Sequence, residues 1–81
     1  MEKEKLKEYI EYGHEIEFEY NNKDYSITYM SVDDEEVISF CEFYKETTEV
    51  KSYDELLKVS RDGVTVSQMW ESLNEDDVWI F

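Results

Sequence analysis

From Gly13 to Met30 the chain reads Gly-His-Glu-Ile-Glu-Phe-Glu-Tyr, then Asn-Asn-Lys-Asp, then Tyr-Ser-Ile-Thr-Tyr-Met. Ile16, Phe18 and Tyr20 alternate with Glu15, Glu17 and Glu19, the period of two of a strand with one face buried and one in water. Tyr25, Ile27 and Tyr29 repeat the pattern after the polar break, so the stretch predicts a hairpin. A two-residue turn at Asn22-Lys23 sets Tyr20 opposite Tyr25, Phe18 opposite Ile27 and Ile16 opposite Tyr29, apolar against apolar on one face. Asn22 tolerates a positive φ, whereas Lys23 stands where Gly is usual. Whatever folds around this hairpin must cover its apolar face and leave three carboxylates on the other.

The flanking segments supply the cover. Glu2 to Tyr12 predicts a helix with Leu6, Tyr9 and Ile10 on one side and Gly13 as the residue that ends it. Ser31-Val32-Asp33-Asp34-Glu35-Glu36 reads as an exposed acidic turn. Val37 to Tyr44 is a third strand of ambiguous facing. Ile38 and Phe40 inward would put Glu42 on the core side; Val37, Cys41 and Phe43 inward would bury Ser39; a bulge near Cys41 would reconcile the two. Lys45 to Glu49 is a polar turn, with a short fourth strand at Val50-Lys51. Ser52-Tyr53-Asp54-Glu55 and Thr65-Val66-Ser67-Gln68 are capping boxes that open two helices. The first carries Tyr53, Leu56 and Leu57 and stops by Arg61-Asp62-Gly63. The second turns Val66, Met69, Trp70 and Leu73 inward and ends at Asn74, with Val64 and Met69 as its hydrophobic staple. Glu75-Asp76-Asp77 is a further acidic turn before a last strand, Val78 to Phe81. The order α-β-β-β-(β)-α-α-β predicts an α+β two-layer fold, an antiparallel sheet with helices on its apolar face, forming a single domain over residues 1–81.

Charge narrows the function. There are 22 acidic and 8 basic side chains, net −14, and beyond Lys7 only 5 bases face 20 acids. Such a surface repels DNA, RNA and anionic membranes and attracts basic proteins or cations. Hydrophobic residues make up 41% of the chain and aromatic ones 16%, enough to supply a core that a disordered acidic chain would lack. One cysteine allows no internal disulfide, and neither an apolar leader nor a membrane-length apolar run is present, so a cytoplasmic protein is expected.

Reactive residues are scarce. His14 has no recognisable partner beyond Glu15 and reads as structural or exposed beside a helix end. Cys41, in a strand of apolar residues, reads as a small buried hydrophobe rather than a nucleophile. One His and one Cys cannot build a zinc site, and neither acidic turn has the spacing or glycine of a calcium loop. Phosphate-loop, nucleophile-elbow and dinucleotide motifs are missing, so no cofactor and no enzyme activity are expected. Sheet aromatics can stack single-stranded bases, but Phe18 and Tyr20 share the face to be buried and the other face carries Glu15, Glu17 and Glu19.

Gly13 to Tyr20 with Lys23 and Tyr25-Ser26-Ile27-Thr28, together with Asp54-Glu55-Leu56-Leu57, Asp62-Gly63 and the amphipathic helix after them, resembles a family of small acidic proteins of Gram-positive bacteria and their mobile elements. The likeness covers most of the chain and rests on structural residues; it implies no activity. By analogy of size, charge and setting rather than motif, small anti-restriction and anti-CRISPR proteins of phages come next.

The outward carboxylates are the functional hint. Glu15, Glu17 and Glu19 recur about 6.8 Å apart at about 3.4 Å per residue, and phosphates along a DNA strand also recur every several ångströms. The expectation is a non-enzymatic binding protein that mimics nucleic acid against a basic protein surface, such as that of a CRISPR nuclease. Contacts would come from Glu15, Glu17, Glu19, Asp33, Asp34, Glu35, Glu36, Glu75, Asp76 and Asp77. The plain alternative for these acids is a solvated face that resists aggregation. A different function class is a small interaction module, homodimeric through Trp79-Ile80-Phe81.

Overall fold

The computed structural model describes Met1–Phe81 and has the expected α+β architecture. Helix α1 (Lys3–Glu11) leads into β1 (Ile16–Tyr20), β2 (Lys23–Val32), β3 (Glu35–Glu42) and β4 (Thr47–Val50). Helix α2 (Tyr53–Lys58), a ribbon of β5 (Ser60–Arg61) and β6 (Val64–Thr65), helix α3 (Val66–Ser72), a single 3-10 turn (Glu75–Asp77) and β7 (Val78–Ile80) follow. The main sheet is antiparallel with strand order β4-β3-β2-β1-β7.

One core joins the layers. Ile16, Phe18, Tyr25, Ile27, Ile38 and Phe40 on the sheet meet Leu6, Leu56, Val66, Met69, Trp70 and Leu73 from the helices. Its centre is aromatic: Tyr25 and Phe40 stack with centroids 5.6 Å apart, Phe18 and Tyr25 at 5.3 Å, and Trp70 stands edge-on to Phe18 at 6.2 Å. The Trp70 indole donates to the Glu2 carbonyl at 2.8 Å, so a fully buried ring still satisfies its N–H.

The end of α1 shows why Gly13 is needed. The Gly13 N–H donates to Ile10 O at 3.0 Å and the His14 N–H to Tyr9 O at 2.9 Å, a paired closure that requires a left-handed residue between them. Gly13 has φ +73°. The chain then turns straight into β1. At α3 the capping box is complete: Gln68 N–H donates to Thr65 Oγ1 at 3.1 Å and Thr65 N–H to Gln68 Oε1 at 2.9 Å. At α2 the Ser52 hydroxyl accepts from Glu55 N–H, but Glu55 reaches one residue further back, to the Lys51 N–H.

Several expectations are corrected. The hairpin turn is Asn21-Asn22, not Asn22-Lys23, with φ +52° and +63°. Pairing moves by two residues, so Phe18 faces Tyr25 and Ile16 faces Ile27. Two adjacent Asn tolerate the positive φ that both centres of a type I′ turn require, and Lys does not. A two-residue shift preserves the faces, so the core assignment survives. The next turn is likewise only Asp33-Asp34, at φ +52° and +66°, while Glu35 and Glu36 are already in β3.

β3 has no bulge: its register with β2 is unbroken from Glu35 to Glu42, with Ile38 and Phe40 inward and Glu42 half-buried at its end. β4 begins at Thr47, inside the expected polar turn. Helix α2 ends at Lys58 rather than near Gly63, because Ser60–Arg61 and Val64–Thr65 pair around an Asp62-Gly63 turn.

Candidate binding face

Residues opposite one another in an antiparallel sheet share a face, so the register defines what lies on the side without helices. Across that side, Glu49 of β4, Ser39 of β3, Thr28 of β2 and Glu15 beside β1 form one row. Thr47, Cys41, Ser26, Glu17 and Trp79 form the next. A third holds Phe43, Asp24 and Glu19, the Phe43 N–H donating to the Asp24 carbonyl at 2.9 Å. The centre of the face is small and polar; its flanks are carboxylates and aromatic rings.

Glu15, Glu17 and Glu19 lie side by side on this face, as their alternation requires. Glu17 is half-buried and the other two are exposed. Of the remaining candidates only Asp77 is brought to them, beside Glu19. Asp33 and Asp34 cap the β2–β3 hairpin, which runs on past the end of β1, with Glu35 and Glu36 beside them. Glu35 is tied to Lys51 at 3.0 Å. Glu75, Asp76 and Asp77 lie at the opposite end, leading into β7 near the Asn21-Asn22 turn, where Glu19, Asn21, Asn22 and Asp77 line an open groove. Asp77 caps its own turn by accepting from Asn74 N–H at 3.0 Å. Ten carboxylates expected as one contact surface therefore divide into a row on the sheet, which meets the Glu75–Asp77 turn at Glu19, and a distant Asp33–Glu36 end.

Cations of the chain do not neutralise the row. Lys3 pairs with Glu71 on the helix side, and Lys5, Lys7 and Lys58 are on helices α1 and α2. Arg61 lies over the core ring of Phe40, 5.8 Å from its centroid, and its guanidinium donates to Thr48 Oγ1 at 2.7 Å. Lys23 donates to Asp62 at 2.8 Å; that hydrogen bond and ion pair hold the Lys23 ammonium above its ordinary pKa and the Asp62 carboxyl below its own. No ion pair involves Glu15, Glu17, Glu19 or Asp24.

The edge strand β7 adds apolar surface. Trp79 is 48% exposed and Phe81 64%. The Phe81 N–H donates to Glu15 O at 2.8 Å. By the alternation of an antiparallel ladder, Trp79 also bonds with Glu17, and the N–H and C=O groups of Val78 and Ile80 point away from β1 along an open edge. Between β7 and β3 the face dips into a cleft of about 220 Å³ lined by Glu17, Phe18, Asp24, Phe43, Trp79 and Phe81. No local pattern marks Asp24 and Phe43, because only the pairing of β2 with β1 and β3 brings them beside Glu17.

The reactive residues are accounted for locally. His14 Nδ1 meets the Phe81 carbonyl at 2.9 Å, which makes Nδ1 the protonated nitrogen, and its ring lies edge-on to Tyr9. Cys41 is not in the core: it is half-buried on the open face, its thiol directed at the carbonyls of Glu42 and Lys45. No group of three or more His, Cys, Asp or Glu is arranged to hold a metal ion, and no helix is long and apolar enough to cross a membrane. Comparison with protein-family models, with curated proteins and with solved structures finds no match for this chain.

Proposed function

We propose that this protein is a non-enzymatic binder of basic protein surfaces, acting as a nucleic-acid mimic that occupies the groove of a DNA- or RNA-binding protein, such as a CRISPR nuclease. The observation that supports this reading is the row Glu15, Glu17 and Glu19 on an uncovered sheet face with no cation of the chain paired to it. Cross-strand neighbours fix the backbone beneath the row, so the spacing at which the three glutamates leave the sheet is set before any partner arrives and only side-chain freedom is lost on binding. The acidic ends at Asp33-Asp34 and Glu75–Asp77 extend the negative field beyond the row and speed encounter rather than make one continuous contact.

The test is capture from a Gram-positive bacterial lysate on the immobilised protein, with elution first by duplex DNA and then by salt. A DNA-binding or RNA-binding protein released by duplex DNA, and lost when Glu15, Glu17 and Glu19 are changed together to Gln, is the expected result. A partner held equally well by that triple variant overturns the reading. The open β7 edge with exposed Trp79 and Phe81 favours a second reading, a homodimer by edge-to-edge pairing. Salt separates the two: it weakens a basic partner's hold but screens the repulsion between two chains of net charge −14 and strengthens the dimer.

A further inference from the structure

We infer that the cleft between Phe43 and Trp79 is a receptor for an arginine side chain of a basic protein partner. This deepens the proposal above and rests on the partner being basic. The cleft is built from two walls and a floor. Phe43 rises from the end of β3, and Trp79 and Phe81 rise from β7. Three inter-strand steps of about 4.8 Å put the backbones of the two walls about 14 Å apart. Glu17 on β1 and Asp24 on β2 lie between them.

Each element of this arrangement matches a guanidinium. Glu17 and Asp24 are diagonal neighbours on adjacent strands, about 7 Å apart at their β-carbons, within reach of one planar fork of N–H donors. Neither is ion-paired within the chain, so the negative charge in the cleft is uncompensated. The rings give a flat cation a face to lie against, and a guanidinium, less strongly hydrated than an ammonium, gains more from leaving water for such a wall. A divalent ion fits poorly: two carboxylates among aromatic carbons give too few oxygen ligands. A second copy of this chain fits poorly too, since its own acidic face would meet Glu17 and Asp24.

The probe is the blocked peptide acetyl-Gly-Arg-Gly-amide, titrated into the isotopically labelled protein and followed by NMR, beside its lysine and citrulline counterparts. Saturable shifts are expected at the Trp79 indole N–H, the Phe43 ring and the amides of Glu17 and Asp24. Lysine should bind at least about threefold more weakly and citrulline not measurably, from the cation–π and charge-assisted hydrogen bonds each lacks in part or whole. Glu17→Gln, Asp24→Asn and Trp79→Ala, shown folded by circular dichroism, should each weaken the arginine peptide at least about threefold on the same grounds. Glu49→Gln, on the same face but outside the cleft, should not. Shifts spread evenly over the acidic surface, equal binding of citrulline, or equal loss in Glu49→Gln would overturn the cleft. Failure here is distinct from failure of the mimicry reading. A captured DNA-binding partner that needs Glu15 and Glu19 but ignores Trp79→Ala and Asp24→Asn removes the cleft and leaves mimicry. Arginine-peptide binding in the cleft with no partner released by DNA does the reverse.

Discussion

If the glutamate row is kept for binding, it should cost the fold stability, and the cost can be worked from the geometry. Neighbouring carboxylates on β1 are about 6.8 Å apart, so each pair repels by about 0.6 kcal/mol in water and about 0.3 kcal/mol after screening at physiological salt. Glu19 also faces Asp24 directly across the β1–β2 pair. At about 5 Å that contact adds about 0.4 kcal/mol after the same screening. Changing Glu15, Glu17 and Glu19 together to Gln keeps side-chain shape and removes all three repulsions, a gain of about 1 kcal/mol. For a chain of this size that corresponds to a rise in Tm of about 4–8 °C. Thermal unfolding of the parent and the triple variant, at low salt and in 1 M NaCl, measures it. The gain should nearly vanish in 1 M NaCl, where the screening length falls to about 3 Å. An unchanged or lower Tm, or a gain that persists undiminished in 1 M salt, would refute the claim that the row is held together against its own repulsion.

Two further outcomes test the structure itself. Asn21→Gly should leave urea stability unchanged or slightly raised, whereas Asn21→Ala at φ +52° should lower it by about 1 kcal/mol; the reverse order, expected of a strand residue, would restore the Asn22-Lys23 turn. Alkaline unfolding should begin above pH 10: burial first, and nearby carboxylates second (Glu42 for Tyr25, Glu15 and Glu36 for Tyr29, Glu4 and Asp54 for Tyr53), raise these phenols above their ordinary value of 10.0. In that range the folded chain holds more protons than the unfolded one, so the stabilisation is complete below pH 10 and lost as pH rises through the folded-state values. Circular dichroism against pH shows it, and Tyr29→Phe, which removes both a titrating phenol and its 2.8 Å bond to the His14 carbonyl, should lower stability near pH 7 yet soften the alkaline loss.

Alternation and capping were legible because they are local. The period of two from Ile16 to Tyr20 assigns faces without any knowledge of partners, and the residues of α3 that turn inward (Val66, Met69 and Trp70, with Leu73 just past its end) follow from a spacing that any α-helix imposes. The α1 terminus at Gly13 and the complete box at Thr65 and Gln68 likewise depend on residues a few positions apart. What failed were boundaries decided by pairing. The β1–β2 register differs by two from the expected one because Asn21 and Asn22 both take positive φ and leave Lys23 to the strand. The β5–β6 ribbon replaces the expected end of a helix, and its two residues per strand leave no period for the sequence to display.

Local pattern therefore leaves the facing of β3 open but assigns the inward side chains of β1, β2 and the helices, the points where the helices begin, and the three glutamates that share one side of a strand. Tertiary structure alone decided what stands beside them. It separated the acidic turns to opposite ends, moved Cys41 out of the core, and brought Asp24 and Phe43 into one cleft with Glu17 and Trp79. The reason is physical: periodicity acts within a few residues, whereas the neighbours of a sheet face are set by long-range register, which no short stretch of chain encodes.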